Sequence, residues 1–218
     1  MRVLALLILA ALSLNCVAAP FAVRLGTERV ALDTPPGFAD SLELASPRLQ
    51  EAAEALTSAS NRILVFALTD ADLRSFTRGD SPEMRRYLLV ATPRAMQGDR
   101  LGAGEFRAYV ADALRGLGNP AEPADIRKHL DAMAPGQAGL LWELRRTPEA
   151  VSVLQGTRVP TRSSAPAQYL LASTTYLLAR GKVLVVSAFA GYQDETDPDW
   201  LRGVTARWID ELLRLNAR

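Results

Sequence analysis

The sequence predicts an α+β fold: a single α/β/α sandwich with a largely antiparallel sheet flanked by helices. Three observations lead there. Short β-rich runs come in pairs joined by turn-forming residues, which favours antiparallel neighbours. Helical stripes fall between and after these pairs. The last β-rich run, Lys182 to Ala190, is apolar on both faces, the pattern of a central strand covered on both sides.

Met1 to Ala19 reads as a secretory signal peptide. Arg2 supplies the positive start, Val3 to Leu14 is apolar apart from Ser13, and Cys16-Val17-Ala18-Ala19 offers small residues for cleavage. The run is shorter than the roughly 20 residues a membrane span needs. Lipid attachment at Cys16 and an uncleaved anchor are the alternatives, and Asn15 fits the first poorly because a lipobox wants a small residue there.

The remainder, 20–218, fits one domain, with no linker, repeat or low-complexity tract. Cys16 is the only cysteine of the 218 residues, so a cleaved chain holds no disulfide, thiolate nucleophile or cysteine metal site. Some 200 residues bury a sufficient core without staples. Removal of Arg2 leaves 24 basic residues facing 24 acidic ones, a balance that argues against nucleic-acid binding, which needs surplus positive charge.

Arg29 to Leu32 reads as a strand. Thr34-Pro35-Pro36-Gly37 forces a turn, and Ala39 to Leu44 is expected to return as its partner. Ser46-Pro47 opens a helix with Leu49, Ala52, Ala53 and Leu56 on one stripe, ended at Asn61. Arg62 to Thr69 is a buried strand. Ala71 to Phe76 is a short helix, broken by Gly79 and Pro82. Arg86 to Thr92 is a strand stopped at Pro93. Gly104 to Leu117 is a helix with Phe106, Tyr109, Val110, Ala113 and Leu117 on its apolar side, and Pro123 to Met133 is a shorter one. Leu140 to Leu144 and Val151 to Gln155 flank Thr147-Pro148 as two more strands, and Pro160 to Pro166 is a loop.

Gln168 to Leu178 and Lys182 to Ala190 form the terminal hairpin. Gly181 supplies the positive φ that the tight Arg180-Gly181 turn requires. Leu184, Val186 and Ala188 line one face of the second strand, and Val183, Val185 and Phe189 the other. Asp197-Pro198 then opens the closing helix, with Asp197 as N-cap and Asp199 favourable at the positive end of the helix dipole. Leu201, Val204, Trp208, Leu212 and Leu215 make one stripe. Trp208 is its expected anchor, since burying a large aromatic is worth roughly 2–3 kcal/mol.

Two pieces, Val30-Ala31-Leu32-Asp33-Thr34-Pro35-Pro36-Gly37-Phe38 and the hairpin, polar loop and Trp-bearing helix from Tyr176 to Trp208, follow the element order of a known group. In this the chain resembles the PsbP-like superfamily, which includes the extrinsic P subunit of the photosystem and the DcrB-like exported proteins of bacteria. The resemblance implies an α/β/α sandwich and a non-enzymatic scaffold or binding role. The chain departs from that pattern in having no lipobox and in extra helical material around Pro123 to Met133.

Catalytic and metal-binding signatures are sparse. His129 is the only histidine. It excludes multi-histidine metal sites, and no Gly-x-Ser-x-Gly elbow accompanies it; it reads as a surface residue near a helix C-terminus. Gly102-Ala103-Gly104 lacks the third glycine and lysine of a phosphate loop and reads as a turn entering a helix. The densest acidic stretch runs from Tyr192 to Asp199. Tyr192, Asp194, Glu195 and Asp197 are the candidate site residues there, able in principle to hold a hard cation or face a partner. The spacing is not that of an EF-hand, and a solvated loop is the plainer reading. Arg85, Arg86, Arg145, Arg146, Arg158 and Arg162 are candidates for a basic patch. No catalytic residue, cofactor or metal ligand is assigned.

The expected function is therefore an exported, non-enzymatic binding or scaffold protein whose partner is another exported protein. A carboxylate-dependent periplasmic hydrolase using Asp194/Glu195 or Asp70/Asp72, or a small-molecule or lipid binder, is the alternative.

Overall fold

The computed structural model describes residues 20–161 and 166–217. The segment over 1–19 that reads as a signal peptide, Cys16 within it, and Arg162 lie outside the described residues.

The chain opens with a hairpin of β1 (Phe21–Leu25) and β2 (Glu28–Leu32), turned at Gly26. The strand expected at Arg29 to Leu32 is present, but its partner lies upstream of it. Ala39 to Leu44 does not return beside it. Only Phe38–Asp40 (β3) is extended, and it pairs with another strand. The Asp40 carboxylate accepts the Leu42 amide at 3.1 Å, which closes Ser41–Leu44 into a 3₁₀ turn. A short acceptor side chain at the head of a turn competes with strand formation in this way.

There follow α1 (Pro47–Ala55), β4 (Asn61–Thr69), α2 (Asp70–Thr77), β5 (Arg86–Pro93), α3 (Ala103–Leu114), α4 (Ile126–Asp131), β6 (Ala138–Arg146), β7 (Ala150–Val159), β8 (Gln168–Ala179), β9 (Lys182–Gly191) and α5 (Thr196–Asn216). The helix expected over Gly104 to Leu117 tightens into a 3₁₀ turn at Arg115. The one expected over Pro123 to Met133 is trimmed to six residues, because Asp125 caps it by accepting the Lys128 amide at 2.9 Å.

Seven strands form one antiparallel sheet in the order β3-β4-β5-β9-β8-β7-β6. β9 is its middle strand. The turn before β9 has φ 53° at Arg180 and φ 79° at Gly181, the two positive values of a type I′ turn whose twist matches the flanking strands.

One face of the sheet carries the main core. Leu184, Val186, Ala188 and Ala190 of β9 meet Leu201, Val204, Trp208, Ile209 and Leu212 of α5, with Leu25, Val30 and Leu32 of the first hairpin and Ile126 and Leu130 of α4. The stripe on α5 is as predicted, with Leu215 only half-buried. At Gly156 of β7 a Cβ would stand 2.6 Å from Leu130, so the small residue lets α4 press against the sheet. The opposite face is covered in two patches. Leu49 and Ala53 of α1 pack on Phe66, Leu68, Tyr87 and Leu89, and Phe106 and Val110 of α3 pack on Val151 and Val183. Val185, between the patches, is half-buried, so this face is covered toward its ends more fully than at its middle.

The fold is thus α+β, a largely antiparallel sheet with helices on both faces. No helix among the described residues is long and apolar enough to cross a membrane.

Candidate functional site

The acidic loop between β9 and α5 is organised from within. Asp197 is fully buried. Its carboxylate accepts Arg85 at 2.9 and 3.2 Å, Arg86 at 2.9 Å and the Gln193 amide at 2.9 Å. It is not the N-cap of the closing helix. That helix starts at Thr196, whose amide donates to Asp194 at 2.9 Å. Pairing of β5 with β9 brings Arg85 and Arg86 to this loop, and bonds to two guanidinium groups, charged on both sides, outweigh the carboxylate's bond to one helix amide. Burial by itself would push the Asp197 carboxyl up. The Gln193 amide, Arg86 and Arg85 together reverse that and hold it below the ordinary carboxylate value.

Tyr192 is buried and donates its hydroxyl to Glu195 at 2.8 Å. Burial, then the hydrogen bond to Glu195 and its charge, push its phenol up to about 12. Each of the four candidate residues is therefore engaged by a neighbour in the chain. Among the described residues no three His, Cys, Asp or Glu side chains are grouped to hold a metal ion.

Beside this loop lies a cleft of about 470 Å³ between the Asp33–Phe38 turn and α5. Its apolar walls are Pro35, Pro36, Phe38, Trp200 and Trp208, and Asp33, Arg207 and Glu211 also face it. The Phe38 and Trp200 rings lie 6.1 Å apart between centroids. The Arg86 guanidinium covers Trp200 at 4.4 Å while bonding Asp197, so the loop network holds one wall of the cleft. The turn is held too. The Phe38 amide donates to Pro35 O at 3.1 Å, the Thr34 hydroxyl to Phe38 O at 3.0 Å, and the Trp208 indole to Asp33 O at 2.8 Å. Side chains locked by second-tier bonds make a preformed site.

Asp33 is only 8% exposed. Its Oδ1 accepts the Thr34 amide at 2.8 Å. Burial, and secondarily the charge of Glu211, raise its carboxyl above the ordinary value despite that amide.

A wider depression of about 760 Å³ lies between α1 and the start of β4. Its polar groups bond one another: Arg94 donates to Ala59 O at 3.2 Å and Asn61 to Thr57 at 2.9 Å. It lacks the aromatic walls of the smaller cleft, and volume alone does not favour it.

The other sequence candidates stay apart. Arg145 pairs with Asp210 and Arg146 with Glu143, while Arg158 donates to Asp131 O; with Arg85 and Arg86 on Asp197, these arginines make no single patch. Asp70 is exposed, whereas Asp72 is buried and accepts from Thr69 and the Glu83 amide at the head of α2. His129 sits half-buried in the last turn of α4. Gly102 leads into α3, its amide donating to Glu105 at 2.8 Å.

Asp33, Phe38, Trp200, Arg207 and Glu211 were not singled out as site residues from sequence. A signal was available: Trp200, Val204, Arg207 and Glu211 recur at spacings of four, three and four, a second stripe beside the core stripe.

A scan against protein-family models matches none, and a search of curated proteins returns no significant match. Solved structures give distant likenesses. The Ran-binding protein Mog1p of Saccharomyces cerevisiae aligns at 14% identity over 90% of this chain and 93% of that one, with a TM-score of 0.42. A point mutant of Mog1 aligns at 14% identity over 92% and 94%, with a TM-score of 0.38.

Proposed function

We propose that this protein is an exported binding module that engages another exported protein through the cleft between the Asp33–Phe38 turn and α5, and that it turns over no substrate. The observation that carries the proposal is the cleft itself: two tryptophans, a phenylalanine and two prolines on a frame closed by the Trp208–Asp33 bond. Aromatic residues at a preformed, half-open surface supply contact area at low entropic cost and dominate binding hot spots. The reading agrees with the scaffold role that the PsbP-like resemblance implies, and the signal-like segment over 1–19 supports export to the periplasm.

The test is site-directed photo-crosslinking in the exported fraction of the native host. A photoreactive residue at Pro36, in the cleft wall, is expected to capture one stoichiometric partner. The same group at exposed Arg107 of α3 is expected not to. No adduct at Pro36, or the same adducts from both positions, overturns the proposal.

A further inference from the structure

We propose that a pocket on the other flank of α5, away from the aromatic cleft, binds a small organic anion by its carboxylate. The pocket holds about 280 Å³ between β6, β7 and α5. Arg145, Ser152, Arg202 and Thr205 are its polar lining, and Leu144 and Ile209 give it an apolar wall. Among the described residues no carboxylate lines it. It shares no residue with the cleft, so the loss of either site leaves the other standing.

Beneath the pocket the main core carries a polar island. Ser173 and Thr175 of β8 are wholly buried, and Ser152 and Thr205 nearly so. They bond in two pairs, Ser152 with Thr175 at 2.8 Å and Ser173 with Thr205 at 2.5 Å. Each pair holds two hydroxyl protons and uses one of them in its own bond. Ser173 and Thr175 have no other acceptor among the described residues, and a buried donor without an acceptor is costly. The direction of both bonds follows. Ser173 donates to Thr205 and Thr175 donates to Ser152. The two unspent protons then belong to Ser152 and Thr205, the hydroxyls that line the pocket.

The arginines add charge. Arg145 bonds Asp210 through one nitrogen at 2.6 Å, and Arg202 bonds Asp199 through one at 3.0 Å. Both carboxylates stand well out in water, where such pairs are weak, and each guanidinium keeps further N–H groups to give. Every polar side chain of the lining therefore has a donor to spare, which calls for an acceptor. Arginine forks match the two oxygens of a carboxylate. Because each arginine already shares a negative charge, the pocket suits one further charge better than the two of a phosphate. Leu144 and Ile209 suit a short hydrocarbon behind the carboxylate, and the volume lies at the low end for ligand pockets, enough for a few carbons.

The experiment follows backbone amide and tryptophan indole resonances of the whole protein in titrations with sodium butyrate, butyramide, sodium phosphate and sodium chloride. Butyrate is expected to shift the Ser152 and Thr205 amides and the Trp142 indole, which lies under Arg202 at 4.6 Å, and to leave the Trp200 indole of the cleft in place. Butyramide, uncharged at nearly the same shape, is expected to shift none of them. Arg145→Gln is expected to weaken butyrate about tenfold. Ser173→Ala combined with Thr205→Val removes both members of one hydroxyl pair at nearly constant shape, so the chain is expected to fold and to bind butyrate about fivefold more weakly. No shift from butyrate, equal shifts from butyramide or chloride, or unchanged butyrate binding in either variant overturns the proposal. Phosphate binding more tightly than butyrate overturns the carboxylate assignment.

Discussion

The side-chain amide of Asn216 pairs with the backbone of Ala31 as a neighbouring strand would. Its Oδ1 accepts the Ala31 amide at 2.9 Å and its Nδ2 donates to the Ala31 carbonyl at 2.8 Å. One residue at the end of α5 thus stitches the free side of β2, and Trp208 two turns earlier holds Asp33 just beyond it. The cleft turn is suspended from the closing helix at both points.

Replacing Asn216 separates the two halves of that clamp. Asn216→Ala is expected to cost about 1–3 kcal/mol, the usual penalty for a lost buried hydrogen-bond pair, and to speed hydrogen exchange at the Ala31 amide. Asn216→Asp keeps the acceptor for that amide but sets a negative charge against the Ala31 and Leu212 carbonyls and against the negative end of the helix dipole. It is expected to cost more stability while leaving Ala31 exchange slower than in the alanine variant. Denaturant unfolding and amide exchange read both.

Asp197 sets an acid limit on stability. Its folded carboxyl lies below the ordinary value of 3.8. Its contribution is therefore present above that value and lost as pH falls through the lowered one. Asp197→Asn is expected to cost about 3 kcal/mol near neutrality by weakening its hold on Arg85 and Arg86. The gap to wild type should close in strong acid, as denaturant midpoints across pH will show.

Asp33 behaves in the opposite sense. Its folded carboxyl is raised above 3.8, so the neutral form is favoured in the native state. Its stabilising share is present below 3.8 and disappears as pH rises through the raised value. Asp33→Asn is accordingly expected to be more stable than wild type near pH 7 and indistinguishable from it near pH 3. Lower stability of the variant at neutral pH would show that the carboxylate has a cationic partner within the chain.

The hairpin turn carries a correctable strain. Arg180 holds φ 53°, a left-handed conformation that costs an L-residue bearing a Cβ about 1 kcal/mol. Its Nε is buried with no hydrogen-bond partner among the described residues. Arg180→Asn, giving the Asn-Gly pair that type I′ turns prefer, is expected to raise stability by about 0.5–1 kcal/mol in thermal unfolding.

Local pattern carried much of the fold. Two-sided apolarity marked Lys182 to Ala190 as the middle strand, and Leu201, Val204, Trp208 and Leu212 marked the buried face of the last helix. The errors fall where a distant partner intervened. Phe21–Leu25 has too short and mixed a run to announce a strand before β2 pairs with it. Lys182 reads as a charged strand start, yet it is fully buried and its ammonium bonds the carbonyls of Gln97, Gly98 and Asp99. Asp197 reads as a helix cap because the arginines that claim it are more than a hundred residues away in the chain.

The sequence by itself determined the fold class, the central hairpin and the amphipathic closing helix, because periodicity and turn chemistry act between residues a few positions apart. Only the tertiary structure decided that Asp33, Phe38, Trp200, Trp208 and Glu211 share one cleft and that Asp197 serves Arg85 and Arg86. Burial and charge pairing depend on what folding brings near, and no short-range pattern records that distance.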